Sequence, residues 1–382
     1  MSFDHYIQAG GRRLRCGYTT GTCAALAAQG AARLLLTGRA PERVSLRTPK
    51  GWVVEVPVED PRLEGRTASC SVTKDGGDDV DVTHGLRITA SVERQPGEMI
   101  TIRGGQGVGR VTKPGLDQPV GEWAINSVPR RMIWEAVDSV RAALDEPGGF
   151  QVTISVPGGA AAAQKTFNPH LGVEGGISIL GTSGIVEPMS VQALVDTMAL
   201  ELRQASAWEG RRLILTPGNY GMEFLRSGVL GLPREVPIVK CSNFVGEALD
   251  SAGLEGFREI LLVGHIGKFV KLAAGIFNTH SRWADGRREM FGAHAALCGA
   301  DRETVRALMD SATADRCLEI LAGKQLREPV LVSLLSAIQE HLDRRCGEAA
   351  RAGAVLFSNQ YGLLGLTQGA KEIIDTWNEQ IS

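Results

Sequence analysis

The sequence predicts a two-domain protein that combines α+β and α/β organisation. Residues 1–160 are expected to form an N-terminal α+β domain with a mostly antiparallel sheet, and residues 161–382 a Rossmann-like domain with a doubly wound parallel sheet. Three observations carry this expectation. The chain has 382 residues, 43% of them hydrophobic, which at roughly 150 residues per domain suffices for two separate cores. Short strand-like runs separated by turn residues alternate with helical stretches through the first 156 positions. After a Gly/Ala-rich connector from Pro157 to Gly176, an apolar run, a small-residue loop and a helical segment recur five times.

Thr20 or Thr22 is placed to cap a helix through Ala24 to Leu36, which Gly38 and Pro41 end. Strand-like runs follow at Val44 to Thr48, Trp52 to Val58, Thr67 to Thr73, Leu86 to Val92 and Met99 to Arg103. Thr48-Pro49-Lys50-Gly51 is a turn signal, so the first two runs read as a hairpin. An amphipathic stretch from Ser127 to Leu144 and a strand from Phe150 to Val156 complete the domain. In the second half the repeats are Ile177 to Leu180 with GTSG, Leu213 to Leu215 with TPGNYG, Pro237 to Val239 with KCSNFVG, Ile260 to Val263 with GHIGK, and Ala354 to Phe357 with SNQYG. All five loops would fall at the carboxyl edge of one parallel sheet, where such sheets take ligands. Met290 to Ala349 reads as helical and carries no interpretable motif.

The totals narrow the function. Lys and Arg number 41 against 43 Asp and Glu, so no global field favours nucleic acid or an anionic membrane. The first residues lack an apolar signal region and no run of 18 apolar residues occurs, so a cytoplasmic location is expected. Seven scattered cysteines without a C-x-x-C pair read as reduced, mostly buried thiols, and no metal site is expected. There is no G-x-G-x-x-G, no Walker A and no G-x-S-x-G, which weakens ordinary nucleotide and hydrolase readings. Glycine is the outlier, at 47 residues, clustered in loops where a backbone could approach a ligand closely.

Among those loops, Gly181-Thr182-Ser183-Gly184 exposes amides without bulky side chains, though a plain βα turn explains it equally well. Gly218 and Asn219, and Ser242 and Asn243, make the same case at the same expected edge. His265 and Lys268 sit beside it, the lysine in a first helical turn where the dipole disfavours a cation. Asn278 to Asp285 is a polar run that a solvated helix end would also explain. Lys74, Asp75, Asp78, Asp79, Asp81 and His84 crowd eleven residues, and carboxylates that close need a cation, backbone donors or open water. Gly17 to Cys23 suits anion capture, and as a plain N-cap needs no ligand.

These segments together resemble the CbiD family. GYTTGTCAA at Gly17, VTKDGGDDVDVTHG at Val72, GGISILGTSGIVEPMS at Gly175, TPGNYG at Thr216, KCSNFVG at Lys240 and LLVGHIGKFVKLAAGIFNTHS at Leu261 carry the resemblance, which spans about residues 16–285. Val80 stands where many members have proline, which bears only on that turn's rigidity.

The resemblance implies transfer of a methyl group from S-adenosylmethionine to carbon 1 of cobalt-precorrin-5B, giving cobalt-precorrin-6A in anaerobic cobalamin biosynthesis. Cobalt would arrive with the tetrapyrrole substrate, and no protein metal site is implied. The cofactor is then expected at Gly181, Thr182, Ser183, Gly184, Gly218, Asn219, Ser242 and Asn243. Thr19, Thr20, Lys74 and Lys268 are expected to bind the substrate, with His265, His84 or Asp75 moving any proton. The ordinary adenosylmethionine fold places an acid after its second strand, whereas here the second expected strand ends in TPGNYG. A non-catalytic tetrapyrrole carrier and a nicotinamide-dependent oxidoreductase stay open as alternatives. A homodimer is compatible with the sequence, which does not fix the oligomeric state.

Overall fold

Strands of the first half form where apolar residues recur at every second position. Ala68, Cys70 and Val72, then Ile88, Ala90 and Val92, are all buried, as the period of two requires for a face turned to a core. The computed structural model describes residues 3–9, 11–166, 168–169, 171–208 and 210–379. It places these runs in a five-stranded sheet ordered Glu59–Glu64, Thr67–Thr73, Arg87–Gln95, Gly149–Ser155, Ile100–Gly104. Pairings are antiparallel except the last, which is parallel, so the sheet is mixed. Helices Thr20–Thr37 and Ser127–Ala143 pack on it and on each other. The first is rich in small residues and lies close to its neighbour: a Cβ on Gly21 would come within 2.7 Å of Pro129 Cγ.

Thr19 caps the first helix, one residue before the earlier of the two expected caps. Its Oγ1 accepts the Thr22 N–H at 3.3 Å, while the Thr20 and Thr22 hydroxyls are engaged elsewhere. Gly38, at φ +70°, ends the helix as expected. The expected hairpin is present as Arg43–Arg47 paired with Val53–Pro57. Tyr6–Ala9, Arg12–Arg15 and Glu59–Glu64 are strands without an apolar signature, since two form a small separate ribbon and the third is a polar sheet edge.

Contacts divide the chain into Met1–Val191 and Gln192–Ser382. Residues 161–191, expected to open the second domain, therefore belong to the first unit. Ile177 to Leu180 is not a strand of the parallel sheet. Ile177 and Ile179 bridge singly to Val108 and Ile125, and Ile185–Val186 pairs with Gly17–Tyr18. Long-range partners in the N-terminal half decide the conformation of this short apolar run, against its local rhythm.

The second unit contains the other four expected strands; three lead through their loops into helices, whereas SNQYG after the fourth leads into another strand instead of the expected helix. Arg212–Thr216, Ile238–Lys240, Glu259–His265 and Arg351–Ser358 pair in parallel, in the spatial order second, first, third, fourth, and Gly362–Leu366 adds an antiparallel edge. Alternate residues face opposite cores. Leu213, Leu215, Ile260 and Leu262 pack with helices Val245–Leu254 and Arg327–Cys346, whereas Ile214, Leu261, Val263 and Phe357 pack with Trp377 of Gln368–Glu379. A sheet covered on both faces explains why its strands read as continuous apolar runs. Region 290–349 forms the long crossover between the third and fourth parallel strands, and buries Leu308, Leu318, Leu321 and Leu334 in one of these cores. Among the described residues no helix is long and apolar enough to cross a membrane.

Candidate functional site

Three glycine motifs close on one another in the first unit. A Cβ on Gly17 would lie 2.3 Å from the Asp75 carbonyl, and one on Gly77 would lie 2.3 Å from that of Arg15, so the two backbones meet where neither can carry a side chain. Tyr18 N–H donates to Asp75 O and Asp78 N–H to Arg15 O, both at 2.9 Å. The GTSG segment docks on the start of helix Thr20–Thr37. The Thr19 and Gly21 amides donate to Gly184 O and Leu180 O at 3.1 and 3.0 Å, Thr22 Oγ1 donates to Gly184 O at 2.6 Å, and Leu180 N–H donates to Thr20 Oγ1 at 3.0 Å. Thr19 and Thr20 are buried. The Thr19, Gly21 and Thr22 amides that an anion would use are taken, so this helix start is a cap laced to a loop.

Gly181, Thr182, Ser183 and Gly184 consequently do not share a sheet edge with Gly218, Asn219, Ser242 and Asn243; the two groups belong to different units. Gly184 adopts φ +78° and a Cβ there would meet Thr48 Cβ at 2.8 Å. Gly184→Ala should therefore destabilise the first unit by about 1–2 kcal/mol, the usual penalty of a left-handed non-glycine residue, read as a lowered urea midpoint. Methyl-donor affinity per folded molecule should not change; a loss of affinity without loss of stability would return this loop to the cofactor site.

The acidic loop finds its donors within the protein. Asp75 accepts both Arg15 guanidinium nitrogens at 2.5 and 2.9 Å and the Gly77 N–H at 2.9 Å. Burial raises its pKa, but Arg15 and the Gly77 amide more than offset this and hold the carboxyl below its ordinary value. Asp78 accepts the Arg15 N–H at 2.7 Å and Asp79 the Met189 N–H at 3.4 Å. Asp81 pairs with Lys74 and accepts the Thr83 N–H and hydroxyl at 2.7 and 2.6 Å. Among the described residues no His, Cys, Asp and Glu group is arranged to hold a metal. Lys74 is itself buried, with its charge directed at Asp81. His84 is exposed, and its Nδ1 accepts the Gly76 N–H at 3.0 Å, which leaves Nε2 to carry the proton of the neutral ring.

In the second unit the strand order makes Arg212–Thr216 and Glu259–His265 neighbours at a topological switch point, the place where open α/β sheets receive ligands. Because Ile177 to Leu180 lies outside this sheet, TPGNYG follows its first strand, and the second ends in Lys240-Cys241-Ser242-Asn243, again without an acid. A Cβ on Gly218 would meet nothing within 4 Å. The Thr216 hydroxyl lies against Gly221, fully buried, and has no hydrogen-bond partner among the described residues. Lys240 Nζ donates to Asn219 Oδ1 at 3.0 Å, which joins the two loops. Ser242 takes a left-handed φ of +52°, uncommon for a residue with a side chain.

His265 caps the short helix Ile266–Phe269, and its Nδ1 accepts the Gly267 N–H at 3.1 Å. The ring packs edge-on against Phe357, with Tyr220 at 6.4 Å between centroids. Burial lowers its pKa and Asp315 opposes that, with the net shift downward. Lys268 is half-buried, which lowers the pKa of its amine, and no described residue bonds or pairs with it. Ser358, first residue of the expected SNQYG loop, joins this edge, and Asp315 joins it without any signal in the sequence. Ser358 Oγ donates to Asp315 Oδ1 at 2.6 Å, and Ser358 follows Phe357, the register partner of His265. Asp315 comes from the crossover helices, far along the chain from His265, so no spacing could announce it. A cavity lined by Asp285, Arg287, Arg288, Ser311 and Thr313 contains no residue of the edge loops. Its arginines already donate to Asp285 and to the Met309 carbonyl.

Fold and edge together define an α/β protein with the architecture of a small-molecule enzyme. The chain belongs to the CbiD family, as its motifs led one to expect: the profile described as CbiD matches residues 7–188, and that described as CbiD, C-terminal domain, matches residues 278–368. A cobalt-precorrin-5B C(1)-methyltransferase of Ruminiclostridium cellulolyticum is 46% identical over 357 residues, covering 93% of this chain and 92% of that protein. One of Alkaliphilus metalliredigens is 41% identical over 376 residues, 97% of each chain. One of Thermoanaerobacter sp. is 48% identical over 321 residues, 83% of this chain and 86% of the other. The solved structure of a cobalamin biosynthesis protein (cbiD) from Archaeoglobus fulgidus is 31% identical, covers 74% of this chain and 87% of its own, and superposes with a TM-score of 0.39.

Proposed function

We propose that this chain is the S-adenosylmethionine-dependent enzyme that methylates carbon 1 of cobalt-precorrin-5B, giving cobalt-precorrin-6A in anaerobic cobalamin biosynthesis. The observation that carries this reading is 46% identity over nearly the whole length of a relative named for that reaction. Cobalt enters as part of the substrate, and the enzyme works in the cytoplasm.

The second unit's sheet, read as a Rossmann-like doubly wound arrangement, offers the methyl donor a seat at Gly218, Asn219, Ser242 and Asn243. The open space at Gly218, where an added Cβ would meet no protein atom, fits a bound group there. When bound, S-adenosylmethionine supplies its methyl group as a sulfonium substituent open to in-line displacement. The residues of the chain act by holding and aligning: rigid loops fix the direction of approach, and a covered edge excludes water. Lys268 meets a carboxylate of the substrate with an ammonium that no described residue pairs as a salt bridge. His265, biased toward neutrality, is the candidate for proton movement at the edge. In the first unit His84 is the corresponding candidate. Thr19, Thr20, Lys74 and Asp75 have their polar atoms committed to the framework, and Gly181 to Gly184 are assigned to it as well.

Incubation of cobalt-precorrin-5B with methyl-labelled adenosylmethionine tests the proposal by mass spectrometry. The tetrapyrrole should gain one labelled methyl group as S-adenosylhomocysteine forms in equal amount. A carrier would return the tetrapyrrole unmodified, and a nicotinamide enzyme would change its hydrogen count only when given the reduced or oxidised nucleotide.

A further inference from the structure

Lys271 is 1% exposed, yet no carboxylate bonds directly to its ammonium. Nζ donates to the backbone carbonyls of Thr279 and Ala284 at 3.0 and 2.9 Å, with Asp285 Oδ1 at 3.8 Å. A buried ammonium is costly unless its donors are bonded, and every partner here lies on one loop, residues 279–285. The same loop is fastened from its other side, where Thr279 N–H donates to Asn243 O at 2.9 Å and Asn278 bridges to Phe244. Its interior is also closed. Asn278 Oδ1 accepts the His280 N–H at 3.2 Å, and His280 Nδ1 accepts the Arg282 N–H at 3.0 Å.

A loop pinned this firmly from beneath presents His280, Arg282 and Trp283 outward, the tryptophan 71% exposed. Leaving an indole in water forgoes the free energy of burying it, so a loop braced to keep it there points to an occupant with a flat apolar face. Asn243, to which the loop is tied, stands on the edge proposed for the methyl donor.

We propose that residues 279–285 form the platform that recognises the tetrapyrrole. Trp283 lies against one face of the conjugated macrocycle, Arg282 meets a carboxylate on its rim, and Lys271 is the positioning residue that keeps both in place. This rests on the methyltransferase reading.

The test uses the full chain, cobalt-precorrin-5B and labelled adenosylmethionine. Trp283→Ala should raise KM for the tetrapyrrole about tenfold, the scale of losing one aromatic stacking partner, with kcat and adenosylmethionine affinity unchanged. Trp283→Phe should restore most of the loss. Lys271→Met should give the same rise in KM with the tryptophan still present. If that variant does not fold, Trp283→Ala decides, because its side chain lies in solvent and its removal leaves the core intact. Equal KM for Trp283→Ala and the wild type would overturn the platform while leaving the enzyme's activity established. A wild-type protein that neither binds nor methylates the tetrapyrrole would instead remove the underlying reading.

Discussion

Gly218→Trp is expected to weaken adenosylmethionine binding by at least roughly 100-fold, equivalent to about 2.7 kcal/mol, while the melting temperature stays that of the wild type. The two halves of this expectation have one cause. A Cβ added at Gly218 meets no protein atom within 4 Å, so the substitution starts into open space beside the switch point, which is the room proposed for the cofactor. Gly221, three residues on, offers no such opportunity, since its Cβ would fall 1.7 Å from Thr216 Oγ1. Titration calorimetry with adenosylmethionine, alongside a thermal melt, reads both quantities. Unchanged affinity in a well-folded variant would remove the switch point from the cofactor site.

Asp81→Asn should cost the first unit about 3–5 kcal/mol, the range for breaking a buried ion pair from one side. Lys74 is 2% exposed and Asp81 20%, so the substitution leaves an ammonium buried opposite a neutral amide. Burial raises the Asp81 pKa, but Lys74 and Thr83 lower it by more, and the carboxyl titrates below its ordinary value. A carboxylate held low stabilises the fold fully above its unfolded pKa of about 3.9 and loses that contribution as pH falls through the folded value. The gap between wild type and variant in urea unfolding should therefore be widest near neutrality and should narrow below about pH 4. Equal stability of the two proteins at neutral pH would show that the pair contributes nothing.

The sequence was most legible where local rules and tertiary structure agree. The two-sided apolar strands of the second unit, the amphipathic helix Ser127–Ala143 and the Arg43–Arg47 hairpin all announce themselves in residue patterns. Ile177 to Leu180 followed by GTSG carries the same local signature as a βα turn. Its hydrogen-bond partners are Thr20 and Thr22 at the start of the first helix, about 160 residues earlier, and pattern reading has no access to pairings at that distance. The acidic loop was ambiguous for a related reason. Its four carboxylates demanded donors, and Arg15, Lys74, Thr83 and backbone amides supply them, but only the fold brings Arg15 there. At the second unit's edge the glycine and asparagine loops were visible because small residues stand out between apolar runs. Asp315 and the loop-bracing Lys271 were not, since a lone ionisable residue inside a helical stretch reads as solvated surface.

The lacing of Gly17–Tyr18 and Thr19 to Thr22 with Leu180 to Val186 also sets an order of events during synthesis. The first helix of the chain lacks partners for its opening amides and hydroxyls until some 160 further residues have been made, several seconds or more at ordinary rates of about 5–20 residues per second. By the end of that interval the small apolar face of the helix has sheet strands to rest on but still an unfinished entrance. A fragment cut at residue 160 would be held permanently at that stage, whereas one ending at Val191 carries its own closing segment.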